Sequence, residues 1–106
     1  MSVSPSIKLD EGERNEIIRL ARARDLSQVW LFGSRARGTS LPTSDIDLAI
    51  RGGDARAYKY DLNETAWSLL HFDVVDLEKL TNEKLRQEIE RDGVLIYPDR
   101  RPQIDS

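Results

Sequence analysis

The chain has 106 residues, no cysteine, one histidine, and 16 basic against 19 acidic side chains, for a formal charge of −3. These values exclude a disulfide scaffold and a thiolate-ligated metal site, leave zinc chemistry few donors, and oppose broad electrostatic adhesion to nucleic acid. No apolar run is long enough for a bilayer and the N-terminus lacks the basic and apolar regions of a signal peptide, so no membrane contact and a cytoplasmic location are expected.

One hydrophobic core is feasible at this size, because roughly 65% of the unfolded chain's surface can be buried. Residues 1–8 and 98–106 are polar, charged and proline-containing and read as loosely ordered ends around a single folded body, 9–97. Asp10 and Glu13 have the spacing of a capping box, and Ile17, Leu20 and Ala21 then recur on one helical face. Val29 to Phe32 reads as a buried strand closed by a turn at Gly33. Asp45 to Arg51 alternates strictly, with Ile46, Leu48 and Ile50 on one side and Asp45, Asp47 and Ala49 on the other. After Gly52 and Gly53, the stripe Tyr58, Leu62, Thr65, Ala66 and Leu69 predicts a second helix over the sheet. A strand Phe72 to Leu77 follows, then a third helix capped by Thr81 with Leu85 and Ile89 one turn apart. Gly93 ends that helix, and Val94 to Tyr97 forms a last strand. The order α-β-β-α-β-α-β predicts an α/β (α+β) fold, a small mixed sheet of about four strands with helices packed against it.

The chemistry concentrates between the first and third strands. Gly33 permits a tight corner and close approach of a ligand, and Ser34 adds a hydroxyl beside main-chain N–H groups that can open a short helix and cradle phosphate oxygens. After ten intervening residues, Asp45 and Asp47 stand two apart on a strand, so both carboxylates project from one face. Like charges so placed call for a cation, and magnesium suits oxygen ligands shared with substrate phosphates. In the third strand, Phe72 and Val74 facing the core turn Asp73 outward to complete a carboxylate triad, while Asp76 falls near the strand end as a turn cap. Three such acids can hold two metal ions about 3.5–4 Å apart.

The run GSRARG, the spacer, SDIDLAI and then FDVVDL resemble the minimal nucleotidyltransferases of the DNA polymerase β superfamily, over about residues 27–97. The resemblance is to the short type paired with HEPN-domain proteins, in which the transferase acts as the antitoxin of a toxin–antitoxin pair. It implies the nucleotidyltransferase fold and magnesium-dependent transfer of a nucleoside monophosphate, typically AMP from ATP, with release of pyrophosphate. By the same resemblance, Gly33 and Ser34 hold the triphosphate, Asp45, Asp47 and Asp73 bind metal and are catalytic, and Arg35 and Arg37 neutralise phosphate charge. Larger members carry further domains for the acceptor or the base. A chain of 106 residues has no room for them, which favours a protein acceptor.

Several other residues read as structural. His71, just before a strand, is expected as a hydrogen-bonded structural histidine rather than a catalytic base. Trp30, Trp67 and Tyr58 fit packing, Tyr60 is open to a nucleotide or a partner, and Glu83, Lys84, Arg86, Glu88, Glu90 and Arg91 read as a solvated helix face. The rival functions are a non-catalytic nucleotide- or partner-binding subunit, alone or as a homo-oligomer, and a transferase acting on a tRNA end.

Overall fold

The structure is a computed structural model, and it describes residues 8–41, 44–64 and 70–98. Of the two expected tails, residues 1–7 and 99–106 lie outside the described residues, as do Thr65, Ala66, Trp67 and Leu69. Lys8 is tied down: its N–H donates to Arg35 O at 2.8 Å.

The first helix, α1 (Glu11–Ala23), starts on the expected capping box. Asp10 Oδ1 accepts from Glu13 N–H at 2.8 Å and Glu13 Oε1 accepts from Asp10 N–H at 3.1 Å. Its buried side chains are Glu13, Ile17, Ile18, Leu20 and Ala21. Strand β1 (Gln28–Phe32) runs into Gly33 and a single-turn helix, α2 (Ser34–Arg37), which ends at Gly38. Strand β2 (Ile46–Arg51) follows, then α3 (Ala55–Asn63), capped by Asp54, then β3 (Phe72–Asp76). The last pair is α4 (Glu83–Asp92) and β4 (Val94–Tyr97). The N-cap of α4 is Asn82, whose Oδ1 accepts from Leu85 N–H, and not the expected Thr81. Both residue types cap helices, and the amide one position later is the one that reaches the third N–H of this helix.

The four strands form one sheet in the order β3-β2-β1-β4. Strand β1 is antiparallel to both β2 and β4, and β2 is parallel to β3, which makes the sheet mixed as expected. One face carries Val29, Leu31, Ile46, Leu48, Ile50 and Phe72, all fully buried with Ile17, Tyr58 and Leu62 of α1 and α3. Tyr58 is core as expected. Its hydroxyl donates to Ile17 O at 2.8 Å and burial pushes its pKa upward.

The opposite face is smaller. Phe32, Ala49, Leu77 and Ile89 form a second cluster, with Trp30, Val75, Leu80 and Leu85 packed against it. Ala49, on the aspartate side of β2, is therefore covered by α4 and fully buried. The alternation that exposes Asp45 and Asp47 thus runs along a face covered toward one end and open at the other.

Candidate active site

Phosphate-binding and acidic candidates converge because of strand polarity. Gly33 and Ser34 follow the C-terminal end of β1, and Asp45 and Asp47 lie at the start of β2, which is antiparallel to β1 with Phe32 opposite Asp47. Asp73 lies at the start of β3, which is parallel to β2, and it stands in register with Asp47. All of these residues are therefore at one end of the sheet, and the register puts Asp47 and Asp73 side by side on the same face.

Gly33 is where the corner meets the acids. Its backbone, at φ 78° and ψ −158°, lies in a region open essentially to glycine alone, and a Cβ placed there would stand 2.6 Å from Asp47 Oδ2. Gly33→Ala is expected to destabilise the fold by about 1–3 kcal/mol. It should also displace the Asp47 carboxylate. Chemical denaturation of the two proteins checks the first effect, and divalent-cation binding checks the second.

Burial pushes the Asp47 carboxyl above the ordinary carboxylate range, with Asp73 and Asp45 adding to the shift and Glu88 contributing from α4. His71 acts in the opposite direction. An acid whose neighbours disfavour its ionised form is the environment a bound cation relieves. Asp45 and Asp73 are more open, with 64% and 53% of their side chains exposed. Asp73 Oδ1 lies 3.3 Å from Lys59 Nζ on α3, an exposed pair of small energetic weight. Asp45 Oδ2 lies 3.8 Å from His71 Nδ1.

His71 is expected from the sequence as a hydrogen-bonded structural histidine. It is exposed, and it stands at the mouth beside Asp45. The backbone after it is held by Asn63, whose Oδ1 accepts from Phe72 N–H at 2.9 Å and whose Nδ2 donates to Phe72 O at 3.1 Å. That reciprocal pair fixes the first residue of β3 and hence Asp73 after it. Asp76, on the other face, takes the turn-capping place expected of it and accepts from Glu78 N–H at 2.9 Å.

Among the described residues, no three His, Asp or Glu side chains are drawn together closely enough to cage a metal ion. Concavities of about 610, 450 and 210 Å³ are lined by other side chains, Asp54, Asp76 and Lys79 in the first, Leu9, Glu13 and Arg35 in the second, and Trp30, Arg86 and Ile89 in the third. The donor set still fits magnesium. All three groups are hard oxygen donors, and magnesium usually takes one or two carboxylates and completes its shell with water and substrate phosphates.

The two arginines of the corner differ in place. Arg35 is buried, with 4% of its surface exposed. Its Nε and Nη2 donate to Ser44 O at 3.1 and 2.9 Å, its Nη1 donates to Lys8 O at 2.8 Å, and Nη1 lies 3.6 Å from Glu13 Oε1. Arg35 therefore anchors the far end of the spacer, just before Asp45, to the start of α1. Arg37 is at the surface, and its Nη1 donates to Asp92 Oδ2 at 3.2 Å and lies 4.0 Å from Glu88 Oε2. Lys59, Glu88 and Asp92 were not singled out as neighbours of the site by sequence reasoning, because all three gain their position from helix packing. No helix among the described residues is long and apolar enough to cross a membrane.

The family model of the polymerase beta nucleotidyltransferases matches residues 15–101. The chain belongs to that family. It is similar to a chain of a toxin–antitoxin complex solved with AMP-PNP, at 30% identity and a TM-score of 0.64, covering 79% of this chain and 72% of that one. A mutant MntA–HpeT toxin–antitoxin complex contains a chain 32% identical, at a TM-score of 0.61 and coverage of 83% and 72%. A third similar chain, 27% identical at a TM-score of 0.54 over 79% and 68%, comes from a complex of a tri-AMPylated Shewanella oneidensis HEPN toxin with an MNT antitoxin. No curated protein matches the chain. The mixed four-stranded sheet is thus that of a minimal nucleotidyltransferase, and the chain is a nucleotidyltransferase by family.

Proposed function

We propose that this nucleotidyltransferase transfers AMP from ATP to a hydroxyl of a HEPN-domain partner protein, as the antitoxin of such a pair. The observation that carries the reading is the clustering of Gly33, Ser34, Asp45, Asp47 and Asp73 at one end of the sheet, with Asp47 half-buried and in register with Asp73. The similarity to chains from a complex with AMP-PNP and from one with a tri-AMPylated HEPN toxin supports the choice of nucleotide and acceptor.

In this reading Gly33 lets the triphosphate approach the backbone and Ser34 offers its hydroxyl to a phosphate oxygen. Arg37 supplies positive charge from the rim. Asp45, Asp47 and Asp73 would hold magnesium, which when bound neutralises the phosphates and stabilises the leaving pyrophosphate. The acceptor oxygen forms a bond to the α-phosphorus as the bond from that phosphorus to the pyrophosphate oxygen breaks. Asp73, at the start of β3, receives the hydroxyl proton. Arg35 takes no phosphate in this scheme and holds the spacer that aims Asp45 and Asp47.

The test is incubation of the chain with ATP, magnesium and a HEPN-domain protein that forms a complex with it, followed by intact mass measurement. Addition of one or more AMP units to the partner is expected. An unmodified partner, under conditions where the two proteins form a complex, would overturn transfer in favour of neutralisation by docking. Magnesium with AMP-PNP should also raise the melting temperature of the chain, by mass action on the folded state.

A further inference from the structure

Arg37 ends α2, one turn after Ser34, and its guanidinium is held from a different element. Its Nη1 donates to Asp92 Oδ2 at 3.2 Å and lies 4.0 Å from Glu88 Oε2, both on α4. Asp92 is the last residue of α4, where a negative charge opposes the helix dipole and is locally disfavoured. Its cationic neighbours offset that: hydrogen bonding to Arg91 first, and to Arg37 after it, holds the Asp92 carboxyl below the usual carboxylate range. Glu88 lies one turn earlier on the same helix, so two carboxylates of α4 flank the guanidinium at the end of the turn that Gly33 and Ser34 open. With 44% of its side chain exposed, Arg37 still presents part of its fork of five donors to the solvent side.

From this geometry we infer that Asp92, with Glu88 beside it, is a positioning residue for the nucleotide: it holds Arg37 at the rim in the orientation that receives the triphosphate. The inference rests on the nucleotidyl-transfer reading above and adds to it a role for α4. A free arginine side chain has many rotamers to lose on meeting a phosphate, and one already fixed by a carboxylate loses fewer. The sign of the effect separates positioning from simple field effects. Asp92 is an acid near an anion-binding site, so neutralising it should tighten nucleotide binding if only the field mattered. If it orients Arg37, neutralising it weakens binding.

The test is a double-mutant cycle read by equilibrium binding of AMP-PNP with magnesium, using the full chain. Asp92→Asn should weaken binding by about three- to tenfold, the scale of one pre-ordered side chain. Arg37→Ala should weaken it at least as much. The double variant should bind no more weakly than Arg37→Ala alone, because the carboxylate acts through that guanidinium. In the transfer assay the effect should appear in KM for ATP and leave kcat near its starting value. Glu88→Gln gives a second variant, expected to weaken binding less because its oxygen is farther from Arg37. Unchanged or tighter binding in Asp92→Asn, or losses that simply add in the double variant, would overturn the inference. Failure of the underlying reading looks different: the unaltered chain itself would not bind AMP-PNP.

Discussion

Replacing Arg35 by alanine is expected to destabilise the protein by about 3–5 kcal/mol, the scale set by breaking a buried ion pair from one side. The substitution leaves Glu13, itself 6% exposed, without its cationic neighbour. It also strips a donor from Lys8 O and two from Ser44 O. Lysine is not expected to restore stability, because one ammonium cannot reach the two carbonyls and the carboxylate that the planar guanidinium spans. Urea denaturation of Arg35→Ala and Arg35→Lys beside the parent chain measures this directly. A phosphate-contacting Arg35 would give the opposite pattern, with stability retained and nucleotide affinity lost.

The second large effect is expected at Asp47. Changing it to asparagine should lower the transfer rate by roughly a thousandfold or more, since loss of one carboxylate from the cation site removes several kcal/mol of charge stabilisation at 1.36 kcal/mol per decade. The fold should not suffer. Asp47 is pushed above the usual carboxylate range by burial and by Asp73 and Asp45, so its charged form is held in the folded state against a penalty. A folded-state value above the unfolded one means that the metal-free protein binds more protons when folded. Stability contributed by this group is therefore fully present below the unfolded value and is lost as pH rises through the folded value. Asp47→Asn removes the penalty, so its melting temperature at neutral pH without metal should equal or exceed that of the parent. Magnesium with AMP-PNP should then raise the melting temperature of the parent and leave the variant where it was. Calorimetry with and without the ligands reads both halves.

The sequence carried the acidic end of the sheet plainly because that end is built from local rules. Period-two alternation put Asp45 and Asp47 on one face, and the apolar Phe72 and Val74 turned Asp73 outward. The strand register then did what no local pattern states: it set Asp73 beside Asp47 across a parallel pair whose partners are 26 positions apart (73 − 47). Arg35 shows the limit. In a run reading Ser34, Arg35, Ala36, Arg37, both arginines look like surface cations, and only long-range contacts distinguish them: Glu13 and Lys8 of the N-terminal segment close over one, while α4 meets the other. Glu88 and Asp92 were illegible for a similar reason. They sit four apart on a helix with mixed charge all along it, which is also how a solvated face looks. The exposure of His71 was not legible, because a position before a strand does not fix burial, and the backbone of Phe72 after it is held by Asn63 from α3. Thr81 and Asn82 are two adjacent residues that each satisfy the capping rule, so the choice between them depends on where the chain enters α4.

The transfer reading requires Asp45, Asp47 and Asp73 to hold divalent cations together with a bound nucleotide. Titration of manganese in the presence of AMP-PNP, followed by electron paramagnetic resonance, addresses it most directly when the parent is compared with four single asparagine variants. The account predicts weaker manganese binding in Asp45→Asn, Asp47→Asn and Asp73→Asn, and parent-like binding in Asp76→Asn, whose carboxylate caps a turn on the opposite face of the same strand as Asp73. Parent-like affinity in Asp73→Asn, or a loss in Asp76→Asn as large as at the other three positions, would contradict it.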